Sequence, residues 1–281
     1  MITLELDDCL SDSTFEEYAK FIYKLTGVNI GPDRKKMLVS RISKQVRLLG
    51  LDDYESYLSY VHENKEELHT FINLVTTHET YFFRTPRVWN YFNDAFWQDW
   101  IESKKATRLL AWSAASSRGE EAYSLSIILQ SVKDQTPSFQ YRVVGSDVSS
   151  KILNVAKKGK YLGRSIERFR NSKPELFTKY MVGDDQEGYS VLPHIKENVS
   201  FRAHNLFQPF NASEKFHLIF LRNVLIYFTK KDQEIVLANI RKSLSDEGLL
   251  IIGESESLAQ IHSEFELVSP LIYRPVSIGE D

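Results

Sequence analysis

From Arg108 onward, short apolar runs alternate with helical runs. This alternating pattern constrains the fold more than any other feature of the sequence. Because parallel strands need long crossover connections, strands separated by helices predict an α/β domain with a mainly parallel sheet. The predicted strands are Leu109 to Trp112, Tyr141 to Ser146, Val199 to Ala203, His217 to Leu221, Leu249 to Gly253 and Phe265 to Tyr273.

The preceding residues have helical periodicity instead. A first helix is expected to follow Asp12 or Ser13 as its N-cap and to stop at Gly27, and a second is expected from Pro32 to Gly50. Shorter periodic runs continue to Val75. We therefore expect an all-helical N-terminal domain over residues 1–75 and the α/β domain over residues 76–281.

The rhythm breaks between Tyr161 and Val199. A cluster of turn residues from Gly183 to Gly188 lies in this interval, ahead of a short run of β character. We interpret the interval as a small antiparallel excursion inserted into the α/β domain at about residues 162–200.

Composition excludes several classes of protein. The chain of 281 residues has a formal net charge of -3, which gives no global argument for nucleic acid or an anionic membrane. Acidic residues near Met1 argue against a secretory signal, so we expect a cytoplasmic protein. The single cysteine, Cys9, excludes an intramolecular disulfide, and the histidines lack HExxH spacing, so we expect no metal.

The segment "WSAASSRGEE", residues 112–121, connects the first predicted strand to a helix and is the place for a cofactor loop. It has neither a GxxxxGK[ST] nor a GxGxxG pattern, and Glu120 and Glu121 would repel a pyrophosphate. Asp147 ends the next strand, where a carboxylate can accept both ribose hydroxyls of a nucleoside. The expected ligand is an adenosine with a cationic tail. Alternatively, the glutamates are simple first-turn charges and Asp147 is a helix N-cap.

Five segments in order resemble the CheR family of chemotaxis receptor glutamate methyltransferases. They read "NLVTTHETYFFRTPRVW", "LLAWSAASSRGEEAYSLSIIL", "VVGSDVSSKILNVAKKGKY", "VSFRAHNLF" and "FHLIFLRNVLIYFTKKDQ". The resemblance covers nearly the whole chain. It implies a Rossmann-like class I methyltransferase sheet with helices on both faces, a β-subdomain insertion and an N-terminal helical domain for substrate recognition. The implied cofactor is S-adenosylmethionine, with S-adenosylhomocysteine as product.

The resemblance also implies which residues contact the cofactor. Mapped by motif, they are His78, Thr80, Arg84, Glu120 or Glu121, Asp147, Asn205, Leu206, Arg222 and Asn223. Two positions depart from the family pattern: His78 stands where asparagine is usual, and Arg118 stands where a small polar residue is usual.

Methyl transfer from a sulfonium is an in-line displacement, so positioning is the main task of the enzyme. A glutamate acceptor is already ionised at neutral pH and needs no general base. It does need fixed hydrogen-bond donors, for which Arg84 and Tyr227 are the candidates. Alternatively, Arg84 binds the carboxylate of the cofactor or forms a salt bridge, and Tyr227 is a core aromatic.

The predicted second helix carries basic residues of a single sign opposite its apolar side. Lys36, Arg41, Lys44 and Arg47 form this predicted cationic face. A solvated face, RNA and a glutamate-rich receptor helix are the possible explanations, and the resemblance favours the receptor.

The sequence thus predicts a protein-glutamate O-methyltransferase that forms glutamyl methyl esters on the cytoplasmic helical domain of chemoreceptors, for adaptation. We expect no nucleic acid partner and no direct membrane insertion. The alternatives are a cofactor-binding regulatory module of the same fold without catalysis, and a methyltransferase for RNA or a small molecule.

Overall fold

The structure is a computed structural model that describes residues 10–104 and 108–276. Cys9 and the acidic residues before it lie outside these ranges. Within the described ranges, no helix has both the length and the apolar character needed to cross a bilayer.

Four helices form the N-terminal part of the chain, which we term the helical unit. They are α1 (Asp12–Thr26), α2 (Lys35–Leu48), α3 (Tyr54–Glu63) and α4 (Lys65–Val75), with a 3₁₀ turn at Pro32–Arg34 before α2. Their apolar faces meet in a core of their own, centred on Tyr18, Ile42 and Phe71. The N-cap of α1 was predicted wrongly: Ser11, one residue earlier than expected, accepts the Thr14 N–H at 3.0 Å. A serine hydroxyl satisfies an otherwise unpaired helix N–H as well as Asp12 would.

The rest of the chain forms the sheet unit. Its elements outside the insertion are α5 (Pro86–Tyr91), α6 (Asp94–Lys104), β1 (Arg108–Ala114), α7 (Glu120–Gln135), β2 (Gln140–Asp147), α8 (Ser150–Lys158), β6 (Val199–Ala203), β7 (Phe216–Leu221), α12 (Lys230–Ser243), β8 (Leu244–Ile252), β9 (Phe265–Ser269) and β10 (Ile272–Pro275). Between α8 and β6 lie β3 (Lys160–Tyr161), α9 (Arg164–Ser172), α10 (Pro174–Tyr180), β4 (Met181–Asp184), β5 (Gly188–Val191) and α11 (Pro193–Lys196).

The main sheet has seven strands in the order β6-β2-β1-β7-β8-β10-β9. The first five are parallel, and β10 is antiparallel to both of its neighbours. Right-handed crossovers in opposite directions from the β1–β7 pair place α7 and α12 on opposite faces. The predicted α/β class is therefore confirmed. The last predicted strand, Phe265 to Tyr273, is instead a hairpin, because the chain reverses between Ser269 and Ile272.

The expected antiparallel insertion is also present. Strands β3, β5 and β4 form a separate three-stranded antiparallel sheet in that order. The predicted turn cluster joins β4 to β5, where Gly183 and Gly188 adopt positive φ angles. A Cβ at Gly183 would stand 2.1 Å from the Gly188 carbonyl oxygen, so the hairpin needs a glycine there.

The helical unit packs on the sheet unit where α1 ends. Gly27 is the left-handed C-cap of α1 at φ 75°, and a Cβ there would lie 1.9 Å from Cε2 of Phe207. Two hydrogen bonds flank this contact: the Asn205 side chain donates to the Leu25 carbonyl at 3.1 Å, and the Tyr23 hydroxyl donates to Asp232 at 2.7 Å. The close approach therefore fixes the helical unit beside the carboxyl edge of the sheet.

Two glycines in similar backbone conformations allow a test of this packing. We expect Gly27→Ala to destabilise the protein by about 2 kcal/mol more than Gly50→Ala, because both substitutions strain a left-handed residue but only the first also overlaps Phe207. Gly50, at φ 66°, has no atom within 4 Å of the position of a Cβ. Chemical denaturation measures both differences, and equal losses for the two variants would contradict the proposed contact.

Candidate functional site

A cleft opens at the carboxyl edge of the sheet, between the ends of β1, β2 and β7 and the helical unit. This edge, at the point where strand order reverses between β1 and β7, is where open α/β sheets bind ligands. The helical unit covers the cleft with side chains from Thr26 to Arg41. The site is thus built jointly by the two units.

The loop after β1 forms one wall of the cleft. Ala115, Ser117 and Gly119 alternate in positive φ, at 67°, 50° and 93°. The Ser116 N–H donates to the Ser146 carbonyl at 2.7 Å, which fastens the loop to the end of β2. Small side chains allow a ligand to approach this backbone closely.

Asp147 is buried at the end of β2 and lines the cleft. Its two oxygens accept the Ser117 N–H at 2.9 Å and the Ser149 N–H at 3.0 Å. Burial raises the pKa of this carboxyl, while the Ser149 N–H acts in the opposite direction. The N-cap of α8 is Ser149, whose hydroxyl accepts the Ile152 N–H, so the alternative role of Asp147 as the cap of that helix is wrong.

The structure distinguishes the two adjacent glutamates of α7. Glu121 lines the cleft and forms a buried ion pair with Nη1 of Arg222 at 2.9 Å, and it also accepts the Ser113 hydroxyl at 2.8 Å. Glu120 does not line the cleft. It lies behind the loop beside Ser165 of α9, and burial raises its pKa to about 7. Adjacent helical residues point about 100° apart, so only one of the two glutamates lines the cleft.

His78 lines the cleft, and one of its ring nitrogens forms hydrogen bonds with the protein. Its Nε2 lies 2.9 Å from the Thr76 hydroxyl and 3.2 Å from the Asn73 carbonyl. The Thr76 hydroxyl itself donates to the Ile72 carbonyl, so Nε2 is the donor to both oxygens and Nδ1 keeps its lone pair. Burial lowers the pKa of His78, despite Asp147 nearby, which keeps the ring neutral at neutral pH.

Several buried polar atoms of the cleft have no hydrogen-bond partner among the described residues. They include His78 Nδ1, Ser116 Oγ and His204 Nε2. Buried polar atoms are nearly always paired in native proteins, so these atoms indicate the place of a polar ligand. Burial lowers the pKa of His204 to about 4, which leaves it neutral as well.

Arg84 lies in a strained loop at the mouth of the cleft. The residues on either side, Phe83 and Thr85, both have left-handed φ angles, at 54° and 66°. The Arg84 carbonyl accepts the Trp89 indole N–H at 2.8 Å and Nη2 of Arg222 at 2.9 Å. Strained backbone of this kind persists only where surrounding bonds hold it, and it concentrates at functional sites.

Tyr227 ends a 3₁₀ turn, Leu225–Tyr227, which follows β7. Its carbonyl accepts the Asn29 N–H at 3.0 Å. The guanidinium of Arg34 lies 5.8 Å from the centre of the Tyr227 ring. Arg34, Arg84 and Tyr227 all line the cleft. The lining of the cleft thus includes cationic and phenolic donors.

Arg41 does not belong to the predicted cationic face. It lies one helical turn after the buried Leu38, at the border of the apolar side, and turns inward to line the cleft. Its guanidinium donates to the Val75 and Thr76 carbonyls at 2.9 and 3.1 Å, at the end of α4. Lys36, Lys44 and Arg47 are exposed as predicted.

Most of the predicted site residues therefore meet in one cleft. It brings together Arg41, His78, Thr80, Arg84, Glu121, Asp147, Asn205, Leu206, Arg222, Asn223 and Tyr227, and it leaves Glu120, Lys36, Lys44 and Arg47 outside. Sequence reasoning missed Arg34, Ser116, Ser117 and His204 as lining residues. His204 follows β6 directly, and its position after a strand was the available signal.

Comparison with known proteins agrees with this geometry. Residues 78–273 match the family model described as "CheR methyltransferase, SAM binding domain", and residues 13–76 match "CheR methyltransferase, all-alpha domain". The chain belongs to the CheR methyltransferase family. The resemblance stated from the motifs is thereby confirmed.

Curated relatives of this CheR family member have similar lengths. A chemotaxis protein methyltransferase of Salmonella typhimurium is 30% identical over 270 residues, covering 94% of this chain and 90% of the relative. Chemotaxis protein methyltransferase 1 of Pseudomonas aeruginosa is 29% identical over 272 residues, covering 94% and 98%. A chemotaxis protein methyltransferase of Borreliella burgdorferi is 27% identical and covers 91% of each chain.

The cofactor of this family, S-adenosylmethionine, suits the residues of the cleft. Asp147 lines the cleft at the end of β2, where a carboxylate suits ribose hydroxyls, and Glu121, paired with Arg222, lines it at the start of α7. The unpaired His78 Nδ1 and Ser116 Oγ offer hydrogen bonds to a polar nucleoside. No cluster of phosphate-binding lysines or glycines competes with this assignment among the residues that line the cleft.

The buried Glu120 generates a pH prediction. Because its folded pKa is raised to about 7, the stability it contributes is present below the pKa of the unfolded chain and is lost as pH rises through about 7. Between about pH 5 and 8.5, the free energy of unfolding of Glu120→Gln should therefore fall less than that of the wild type. The difference should reach up to about 3 kcal/mol.

Denaturation at several pH values measures this difference. Glu121→Gln, at the next residue, removes the partner of the buried Arg222 and should destabilise the protein at every pH tested. Parallel pH profiles for Glu120→Gln and the wild type would contradict the prediction.

Proposed function

We propose that this chain transfers a methyl group from S-adenosylmethionine to glutamate side chains of chemoreceptors, forming glutamyl methyl esters in the cytoplasm during adaptation. The observation that supports this proposal is that Arg34, Arg84 and Tyr227 line the cofactor cleft, with Arg34 close to the Tyr227 ring. Such donors suit a carboxylate acceptor. We propose further that residues 1–75 recognise the receptor and residues 76–281 carry the chemistry, with the insertion at about residues 162–200.

The proposed mechanism rests on positioning. S-adenosylmethionine supplies an electrophilic methyl group on a sulfonium. Arg84 and Tyr227 hold the acceptor carboxylate in line with that methyl, and they replace part of its hydration with fixed donors. No residue needs to remove a proton, because the glutamate is already ionised at neutral pH.

The rigidity of the Arg84 loop is part of this proposal. Arg222 spans from Glu121 to the Arg84 carbonyl, so one buried side chain joins the first turn of α7 to the loop that carries Arg84. Among the described residues, the Arg84 guanidinium donates one hydrogen bond, from Nη1 to the Glu79 carbonyl at 3.2 Å, and it lies 5.7 Å from the centre of the Tyr81 ring. Its other N–H groups can donate to a substrate.

Turnover on receptor fragments tests the acceptor. We expect mass spectrometry to find methyl esters on receptor glutamates after incubation with S-adenosylmethionine, and Arg84→Ala and Tyr227→Phe to lower the rate by at least about 100-fold and 10-fold. Arg87→Ala is the matched control: this exposed arginine of the same segment pairs with Glu254 outside the cleft, and its loss should leave the rate unchanged.

Two results would contradict the proposal. Modification of residues other than glutamate would remove the proposed acceptor. Cofactor binding without any methylation of receptor would favour the regulatory module that the sequence left open.

The exposed side of α2 suits an acidic partner such as a receptor helix. We expect Lys36→Glu with Lys44→Glu to raise the KM for receptor at least about tenfold at low ionic strength, and less at high salt, because these exposed charges would act at long range. The control is Lys157→Glu with Lys158→Glu on the exposed side of α8. Equal effects of the two pairs would mean that the α2 face acts only through the overall charge of the protein and is not a receptor-binding surface.

A further inference from the structure

One buried carboxylate accepts hydrogen bonds from the backbone N–H groups of two loops at the carboxyl edge of the main sheet. Glu256, which follows β8, accepts the Asn223 and Gly253 N–H groups on Oε2 at 2.9 and 2.6 Å. Its Oε1 accepts the Val224 and Leu225 N–H groups, both at 2.8 Å. Both oxygens are therefore fully used, and the side chain is only 9% exposed.

The backbone is shaped to admit this carboxylate. A Cβ at Gly253 would stand 2.7 Å from Oε2 of Glu256 and 2.8 Å from Nδ2 of Asn223. A glycine is thus required between the carboxylate and the side chain of Asn223. The Glu256 N–H closes the turn by donating to the Gly253 carbonyl at 3.1 Å.

Asn223 is the cleft residue whose backbone N–H bonds directly to Glu256. It has a left-handed φ of 58° and lines the cofactor cleft. Asparagine tolerates the left-handed region better than most residues with a side chain, and the bond from its own N–H to Glu256 holds Asn223 there. Without the carboxylate, three consecutive N–H groups after Arg222 would lose their acceptor.

We propose that Glu256 is a positioning residue for the cofactor: it fixes the backbone of Asn223 so that the Asn223 amide meets the cofactor in a single orientation. A carboxylate suits this role because both of its oxygens accept hydrogen bonds, and bonds to an ionised acceptor are stronger than bonds to a neutral one. The inference uses the binding of the cofactor and the contact of Asn223 with it, and it does not depend on the identity of the methyl acceptor.

A double-mutant cycle in S-adenosylhomocysteine binding tests the inference. Glu256→Gln keeps the size of the side chain but puts an NH₂ group where an acceptor is needed. We expect calorimetry to show binding at least about tenfold weaker, since a preorganised contact is lost. In an Asn223→Gly background, where glycine tolerates the same φ, the substitution at Glu256 should change affinity less than twofold.

Hydrogen exchange on the protein without ligand supplies a second readout. The Val224 and Leu225 amides should exchange faster in Glu256→Gln. Glu67→Gln is the matched control, because Glu67 is a buried carboxylate of the helical unit that accepts from Tyr57 and Gln45, and it should leave both affinity and these amides unchanged.

Two outcomes would overturn the inference: unchanged affinity in Glu256→Gln, or the same fold-loss in the Asn223→Gly background as in the wild type. If Glu256→Gln does not fold, Gly253→Ala displaces the same carboxylate and enters the same cycle. Because no methyl acceptor is present, failure of receptor methylation leaves this result intact, and the reverse also holds.

Discussion

The ion pair between Arg222 and Glu121 is the interaction on which the site depends. Arg222 comes from the end of β7 and Glu121 from the first turn of α7, and the arginine also bonds the carbonyl of Arg84. Replacing one member of a buried pair leaves an unpaired charge, which is far more destabilising than the pair is stabilising. The pair therefore acts as a constraint that joins the cofactor wall, the strained Arg84 loop and the main sheet.

The helical unit completes this arrangement. Arg41 bonds carbonyls at the end of α4, just before His78, while Gly27 admits Phe207 and brings Arg34 over Tyr227. A unit expected only to recognise a partner thus also closes the cofactor cleft. Under the proposed receptor recognition, α2 serves two surfaces, because Lys36 and Lys44 are exposed while Arg41 lines the cleft.

Much of the fold followed from pattern. Strand and helix rhythm predicted the parallel sheet, and the turn cluster at Gly183 predicted the antiparallel insertion. The N-cap of α1 was misplaced by one residue because Ser11, Asp12 and Ser13 all have side chains that can cap a helix. The hairpin at Ser269 was missed because a short turn between two β-rich runs has little signal of its own.

The sequence by itself determined the fold class, the family and many of the residues that line the cleft, because periodicity and motif order can be read without coordinates. Only the tertiary structure decided which neighbour faces the ligand: Glu121 rather than Glu120, and Arg41 inward rather than outward. Glu256 was also invisible in sequence, since its four partners are backbone N–H groups from two loops. Backbone donors have no sequence signature, and their convergence exists only after β7 and β8 pair.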